Sequence, residues 1–207
     1  IPVYNDFQSV SKLITDINSV VANINAEFSI IIVNDASKDA TEIDIANLDN
    51  VKSIKIINMK ENRGHARCIA TGLKYIFDKE EYDYVIPMDG DGEDRPEEIL
   101  KFVEFLNYDH TKPIVGERIK RSEGIIFKLS YNLHKLITFV FAGQSIKFGN
   151  FTCLPKTTVE KMINEKATWS SFSGSLAKLE KKRSTVSSIR GSRYFGPSKM
   201  SFYNLIK

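Results

Sequence analysis

Apolar and polar positions along the first two-thirds of the chain change period in a regular order. Residues 1–3 read as the stub of a buried strand. Phe7, Val10, Leu13, Ile14, Ile17, Val20 and Val21 then recur at helical spacing, the stripe of an amphipathic helix. Residues 28–33 form a continuous Ile-rich run, as a strand buried on both faces does. A polar turn follows, Asn34-Asp35-Ala36-Ser37-Lys38-Asp39, and then a short helix. Val51, Ile54, Ile56 and Ile57 mark a strand over residues 51–59. Asn62-Arg63-Gly64 punctuates, and a helix runs over residues 65–77. Residues 82–88 read as a strand ending on an acidic turn, Asp89-Gly90-Asp91-Gly92-Glu93-Asp94. Pro96 suits the first turn of the next helix, and Glu97 and Glu98 favour its positive end. Residues 112–116 read as another strand. From about residue 118 the pattern loosens into a basic loop and an apolar helix over residues 125–142. A turn at Gly149-Asn150-Phe151 and a tail rich in Ser, Lys and Arg follow.

Strands alternating with helices predict an α/β fold, with a mostly parallel central sheet and helices on both faces. Ligands of such sheets sit at the carboxyl ends of the strands, where the turns at Asp35 and Asp89 both fall. The composition supports a globular reading. Of 207 residues, 42% are hydrophobic and 27% charged, which excludes collagen-like, coiled-coil and disordered chains. A net charge of +3 is too small to argue for nucleic acid. No run approaches the roughly 18 apolar residues of a membrane span. Cys68 and Cys153 lack metal-type spacing and point to a reducing compartment, with one disulfide left open. The chain opens inside a strand and closes inside a helix, so a piece trimmed at both ends is expected.

The Asp89-Gly90-Asp91 turn is the first candidate for chemistry. Two carboxylates one residue apart, just past a buried strand, can share a hard cation such as Mg²⁺ or Mn²⁺ and leave sites for phosphate oxygens. Glu93 offers a third oxygen. A solvated acidic turn is the plainer alternative, because Asp and Gly are turn residues anyway. Asp35 either accepts a hydrogen bond from a nucleobase N–H or, like Ser37 and Asp39, caps the next helix. Tyr4 either stacks on a base or packs in the core. Arg193-Tyr194-Phe195-Gly196-Pro197-Ser198-Lys199 is a basic Gly-Pro loop suited to anions, or a solvated tail. Arg118, Lys120 and Arg121 pose the same choice. His65, His110 and His134 are not spaced as metal ligands.

These motifs together resemble family-2 glycosyltransferases. Ile1-Pro2-Val3-Tyr4-Asn5-Asp6 is similar to their Pro-Val-Tyr-Asn-Glu opening, and the turn at Asn34-Asp35 to their Val-Asp-Asp-Gly-Ser turn. Asn62-Arg63-Gly64 with Ala66 and Gly72 resembles their Asn-x-Gly helix start. The stretch from Met88 to Glu97 resembles the dolichyl-phosphate mannose synthase and polyprenyl-phosphate sugar synthase branch. Gly116-Glu117-Arg118 with Arg121, Gly149-Asn150-Phe151 and the Arg193 loop continue the series in order, so the resemblance covers essentially the whole chain.

The resemblance implies a GT-A nucleotide-diphospho-sugar fold, inversion at the anomeric carbon and a divalent metal, Mg²⁺ or Mn²⁺. Residues 1–207 would form one catalytic domain, with a nucleotide-sugar half over 1–117 and an acceptor half over 118–207. Pro2, Tyr4, Asp6, Asp35, Asn62 and Gly64 would line the nucleotide pocket. Asp89 and Asp91 would hold the metal and the donor phosphates, with Glu93 reaching the same ion. Arg193 would stabilise the leaving diphosphate. Arg118, Arg121, Ser198 and Lys199, with Lys128 and Ser130, would hold acceptor or leaving-group phosphates. Asn34 stands where the family has Asp, Ala36 where it has Gly, Asp6 where it has Glu and Arg95 where it has Pro.

Many family-2 enzymes place a general base in a Glu-Asp motif, which a sugar hydroxyl acceptor needs. Residues 149–175 offer only Glu160 and Glu165, in helix-like context. A phosphate acceptor is already an oxyanion, so a polyprenyl phosphate is the expected acceptor. The apolar helix over 125–142 suits a membrane interface, or equally a core or dimer contact. The expected location is the cytosolic face of a membrane, with a homo-oligomer left open. The rivals are an enzyme extending a saccharide and a non-catalytic sugar-nucleotide-binding module. A nucleotidyltransferase would want a Gly-rich basic loop after the first strand, and a hydride-transfer enzyme Gly-x-Gly-x-x-Gly there; neither is present.

Overall fold

The computed structural model describes residues 1–39, 43, 48–118 and 147–196, and of Arg118 the strand position alone. Strands β1 (Pro2–Val3), β2 (Ser29–Asn34) and β3 (Ser53–Asn58) form a parallel sheet in the order β1-β2-β3. Strands β4 (Tyr84–Val85), β5 (Ile114–Arg118), β6 (Phe148–Pro155) and β7 (Ser184–Ser188) form a second sheet in the order β4-β6-β5-β7. The helices described are α1 (Phe7–Val21), α2 (His65–Lys79), α3 (Ile99–Leu106), α4 (Lys156–Asn164) and α5 (Phe172–Leu179).

Side chains of successive strand residues point to opposite faces, and the two cores follow that period. Ile30 and Ile32 of β2 join Val10, Leu13 and Ile14 of α1 and Phe102 of α3. Ile114 of β5 and Cys153 of β6 lie in the same cluster. Their neighbours Val115 and Leu154 turn the other way, onto Leu73 of α2, Val159 and Met162 of α4 and Leu176 of α5. Helices therefore cover both faces, as the alternation of elements predicts.

The parallel expectation holds for β1 to β3 and for β5 with β7, whereas β6 runs antiparallel to β4 and β5. The strand expected over residues 82–88 is cut to Tyr84–Val85. Pro87, which has no N–H to give a ladder, stands just beyond it. Gly149-Asn150-Phe151 is not a turn but the interior of β6. Phe151 is buried there, its ring 4.7 Å from that of Phe102. The Ser-rich segment that reads as tail contains β7, whose register is set by pairing with β5 from Ile114–Ser184 to Arg118–Ser188. Cys68 and Cys153 are free and buried, and burial pushes both thiols up to about 12.

The second core depends partly on how α5 begins. Ser171 Oγ accepts the Gly174 N–H at 3.2 Å and satisfies one of the helix's orphan donors. Ser171→Ala is expected to cost about 1 kcal/mol, seen as a lower urea midpoint with an unchanged slope.

Candidate active site

The loops after β1 and β2 are laced together by side chains that accept backbone N–H groups. Asn5 N–H donates to Ser37 Oγ (2.9 Å), and Lys38 N–H donates to Asn5 Oδ1 (2.7 Å). Phe7 N–H donates to Asp39 Oδ2 (3.1 Å). Ser37 and Asp39 serve the turn into α1, whose first amides have no partner within the helix; residues 40–42 and 44–47, where they are expected to cap a helix, lie outside the described residues. Asn34 is buried and spends its side chain locally: Nδ2 donates to Asn58 Oδ1 (2.8 Å) and Oδ1 accepts Ser37 N–H (2.9 Å).

Asp35 is 3% exposed. Its Oδ1 accepts Arg63 N–H (2.7 Å) and its Oδ2 accepts Gly64 N–H (2.8 Å). Asn62 Nδ2 donates to the Asp35 carbonyl (3.3 Å). The carboxylate thus sits on the positive end of α2 and fastens the 62–64 turn to the end of β2. Ala36 holds φ +56, a left-handed conformation that costs a residue with a Cβ. Ala36→Gly is expected to gain up to about 1 kcal/mol in urea unfolding, because strain relief exceeds the added freedom of the unfolded chain. Tyr4 is 38% exposed, so it is not a core residue.

The end of β1 meets the acidic turn directly. A Cβ on Gly90 would lie 2.8 Å from the carbonyl oxygen of buried Pro2, so glycine alone allows this approach. Within the turn, Asp89 N–H donates to Asp94 Oδ2 (2.9 Å). Asp89 Oδ1 lies 3.0 Å from His65 Nε2 and accepts Asn150 Nδ2 at 3.4 Å. Asp91 Oδ1 accepts Glu93 N–H (2.9 Å). Arg193 reaches in from residues 189–196: Nη1 donates to Asp91 Oδ2 (2.5 Å) and Nη2 to Asp6 Oδ2 (2.7 Å). Arg190 forms an ion pair with Glu93. Burial, and then the Asp89 charge, raise the Asp91 carboxyl above its usual range, against the pull of Arg193 and Arg190. Burial would depress His65, but the hydrogen bond and charge of Asp89 outweigh it and hold the imidazole above its ordinary value.

The donor set fits a hard divalent cation. Asp6, Asp89, Asp91 and Glu93 offer only oxygens, and a guanidinium already bridges Asp6 and Asp91, so those two carboxylates converge on one positive charge. Among the described residues no three or more His, Cys, Asp or Glu side chains form a ready-made cage. An ion here would complete its shell with water and phosphate oxygens, as Mg²⁺ and Mn²⁺ do.

The sequence matches the family described as Glycosyl transferase family 2 over residues 1–169. The chain belongs to that family. An undecaprenyl-phosphate 4-deoxy-4-formamido-L-arabinose transferase from Pectobacterium atrosepticum is 28% identical over 213 residues, covering 100% of this chain and 63% of the relative. The chain therefore spans less than two-thirds of that relative's length. Among solved structures, a mannosyltransferase from Pyrobaculum calidifontis in complex with GDP-Man and Mn²⁺ aligns with TM-score 0.61 and 16% identity. It covers 91% of this chain and 55% of that one. A glucosyl-3-phosphoglycerate synthase from Mycobacterium tuberculosis, in complex with Mn²⁺, UDP and glucosyl-3-phosphoglycerate, aligns with TM-score 0.61 and 12% identity, over 95% and 71%. The fold is the GT-A fold.

In this family-2 chain the predicted residues Pro2, Asp6, Asp89, Asp91, Glu93 and Arg193 come together at one edge. Asn62 and Gly64 sit beside Asp35 at the start of α2, whose first residue, His65, touches Asp89. The Arg118 side chain, Arg121, Lys128, Ser130, Ser198, Lys199 and the apolar helix expected over 125–142 lie outside the described residues. Sequence reasoning gives no site role to His65, Asp94, Asn150 or Arg190. His65 follows Gly64 directly at the helix start, which was the one signal that could have found it.

Proposed function

We propose that this chain is the catalytic domain of an inverting, divalent-metal-dependent glycosyltransferase that moves a sugar from a nucleotide-diphospho-sugar to a polyprenyl phosphate. The observation that carries the reading is the convergence of Asp6, Asp89, Asp91 and Glu93 with Arg190 and Arg193 at the strand ends. It is a place where a metal–diphosphate can be held by carboxylates on one side and guanidiniums on the other. The relatives' names, with their undecaprenyl phosphate, GDP-Man, UDP and Mn²⁺, support the same reading.

Asp89 and Asp91 would hold a Mg²⁺ or Mn²⁺ ion, with Glu93 beside them. When bound, that ion supplies Lewis-acid stabilisation of the charge on the departing diphosphate. Asp94, His65 and Asn150 fix Asp89, by its backbone amide and its Oδ1, so that its geometry is set before the donor arrives. Asp35 positions the Asn62–Gly64 turn, and exposed Tyr4 would stack on a base. Arg193 carries positive charge to the leaving diphosphate. Arg118, Arg121, Lys128, Ser130, Ser198 and Lys199 are assigned to acceptor or leaving-group phosphates. An acceptor phosphate oxygen attacks the anomeric carbon as an anion, so no protein base is required. Glu165 is already engaged by Ala167 N–H and Lys178, away from such a role.

The acceptor lipid places the protein at the cytosolic face of a membrane. No helix among the described residues is long and apolar enough to cross one. The test is a panel of nucleotide-sugars incubated with Mn²⁺ and either undecaprenyl phosphate or soluble saccharides, with products identified by mass. Glycosyl-lipid phosphate is the expected product. Efficient transfer to a saccharide with none to the lipid phosphate would move the reading to a saccharide-extending enzyme.

A further inference from the structure

Residues 189–196 lie across the acidic turn as a strap. Gly191 N–H donates to the Glu93 carbonyl (2.8 Å) and Tyr194 N–H to the Asp91 carbonyl (2.9 Å). Ile189 N–H donates to Glu98 Oε2 at 3.3 Å. Tyr194 anchors the strap to α1: its hydroxyl donates to Asp16 Oδ2 (2.7 Å), and Lys12 Nζ lies 4.9 Å from its ring centre. The same ring packs on Gly92, where φ is +84 and a Cβ would come within 2.4 Å of it. The glycine therefore provides the seat for the tyrosine.

The strap delivers two guanidiniums to the carboxylates that would hold a metal or stand beside it. Arg193 spans Asp6 and Asp91, and Arg190 pairs with Glu93. Both arginines also keep a buried Nε–H that has no acceptor among the described residues. A buried donor left unpaired is costly, and a guanidinium fork is matched by an anion with several oxygens. The carboxylate pairing is thus incomplete for the arginines.

We infer that the strap is an internal counter-cation latch, in which Arg190 and Arg193 pair with Glu93, Asp6 and Asp91 while the site is empty and are exchanged onto the donor's diphosphate when a divalent ion takes the carboxylates. The inference rests on the metal reading above. It gives Arg190 the same role as Arg193, a cation delivered to the donor's diphosphate. It also makes Tyr194, which touches neither metal nor donor, a control on metal affinity. The strap and the ion compete for the same oxygens, so anything that loosens the strap tightens the ion.

The decisive variant is Tyr194→Phe, because it removes the Asp16 anchor without altering charge. Arg193→Lys is the second: it keeps the charge but loses the fork that spans two carboxylates. Mn²⁺ alone is titrated into the wild-type chain and both variants by calorimetry, with a melting curve for each. Amide hydrogen exchange at Gly191 and Tyr194 is then followed with Mn²⁺ plus UDP and, separately, Mn²⁺ plus GDP. Both variants are expected to bind Mn²⁺ about threefold to tenfold more tightly than wild type. The two amides are expected to lose protection when metal and the preferred nucleotide are added. Equal or weaker Mn²⁺ binding by Tyr194→Phe, or amides that stay protected in the loaded protein, overturns the latch and leaves the metal site standing. No Mn²⁺ binding by any of the three proteins, with or without nucleotide, removes the metal reading and the latch with it.

Discussion

Asp91→Asn is expected to lower the rate of nucleotide release at least about 100-fold while shifting the melting temperature little. The substitution keeps the size of the side chain and an acceptor for Glu93 N–H, now made at 2.9 Å by Oδ1. It removes the negative charge that would hold a hard cation and that now faces Arg193. A 100-fold loss corresponds to about 2.7 kcal/mol of transition-state stabilisation. Stability responds differently. Burial and the nearby Asp89 charge hold the Asp91 carboxyl above its ordinary range, so its ionisation in the folded state is disfavoured rather than favoured. A neutral amide escapes that cost, which offsets part of the lost pairing with Arg193. Steady-state rates and thermal melts of the same preparation separate the two effects. Matching losses of activity and stability would mark Asp91 as a structural turn residue.

Asp35→Ala is expected to be the more damaging change to the fold, at about 3 kcal/mol in urea unfolding. Arg63 and Gly64 would each lose the acceptor of a short backbone N–H bond at the buried start of α2. The penalty should exceed that of a surface cap, because both donors point at a site with 3% exposure and one charge serves both. Equilibrium unfolding measures the loss, and UDP and GDP affinity measured below the unfolding range shows whether the residue also reaches a base. Wild-type stability with a large loss of nucleotide affinity would reverse the assignment and make Asp35 a base contact first.

The residues that could be read from sequence were those whose chemistry and period agree. The stripe from Phe7 to Val21 fixes α1, and the Ile-rich run fixes β2, because burial leaves few polar positions. The Asp89 turn was legible through its place after a buried strand and before Pro96. The strand β7 was not, since Ser184–Ser188 has no apolar alternation and owes its conformation to a partner 70 positions earlier at Ile114–Arg118. The same non-local cause hid Arg190 and the carboxylate partners of Arg193, which meets Asp6 across nearly the whole chain, at a separation of 187 positions. Asn150 was read as part of a turn, and only the pairing of β6 beside the acidic turn brings it to Asp89. Sequence offers Asp35 a base contact or a cap on the short helix after residue 39, whereas its acceptance of the Arg63 and Gly64 amides at the start of α2 is visible only once the 62–64 turn is folded against β2.

On the proposed reading, the Asp89–Asp91 turn would hold a nucleoside diphosphate through a divalent ion. Calorimetry of UDP and GDP binding to the wild-type chain, first with Mn²⁺ and then after its removal by chelation, tests it most directly. The expected result is binding of one nucleotide with Mn²⁺ and a loss of at least about tenfold in affinity without it, with Asp91→Asn insensitive to the metal. Equal affinity before and after chelation would contradict it.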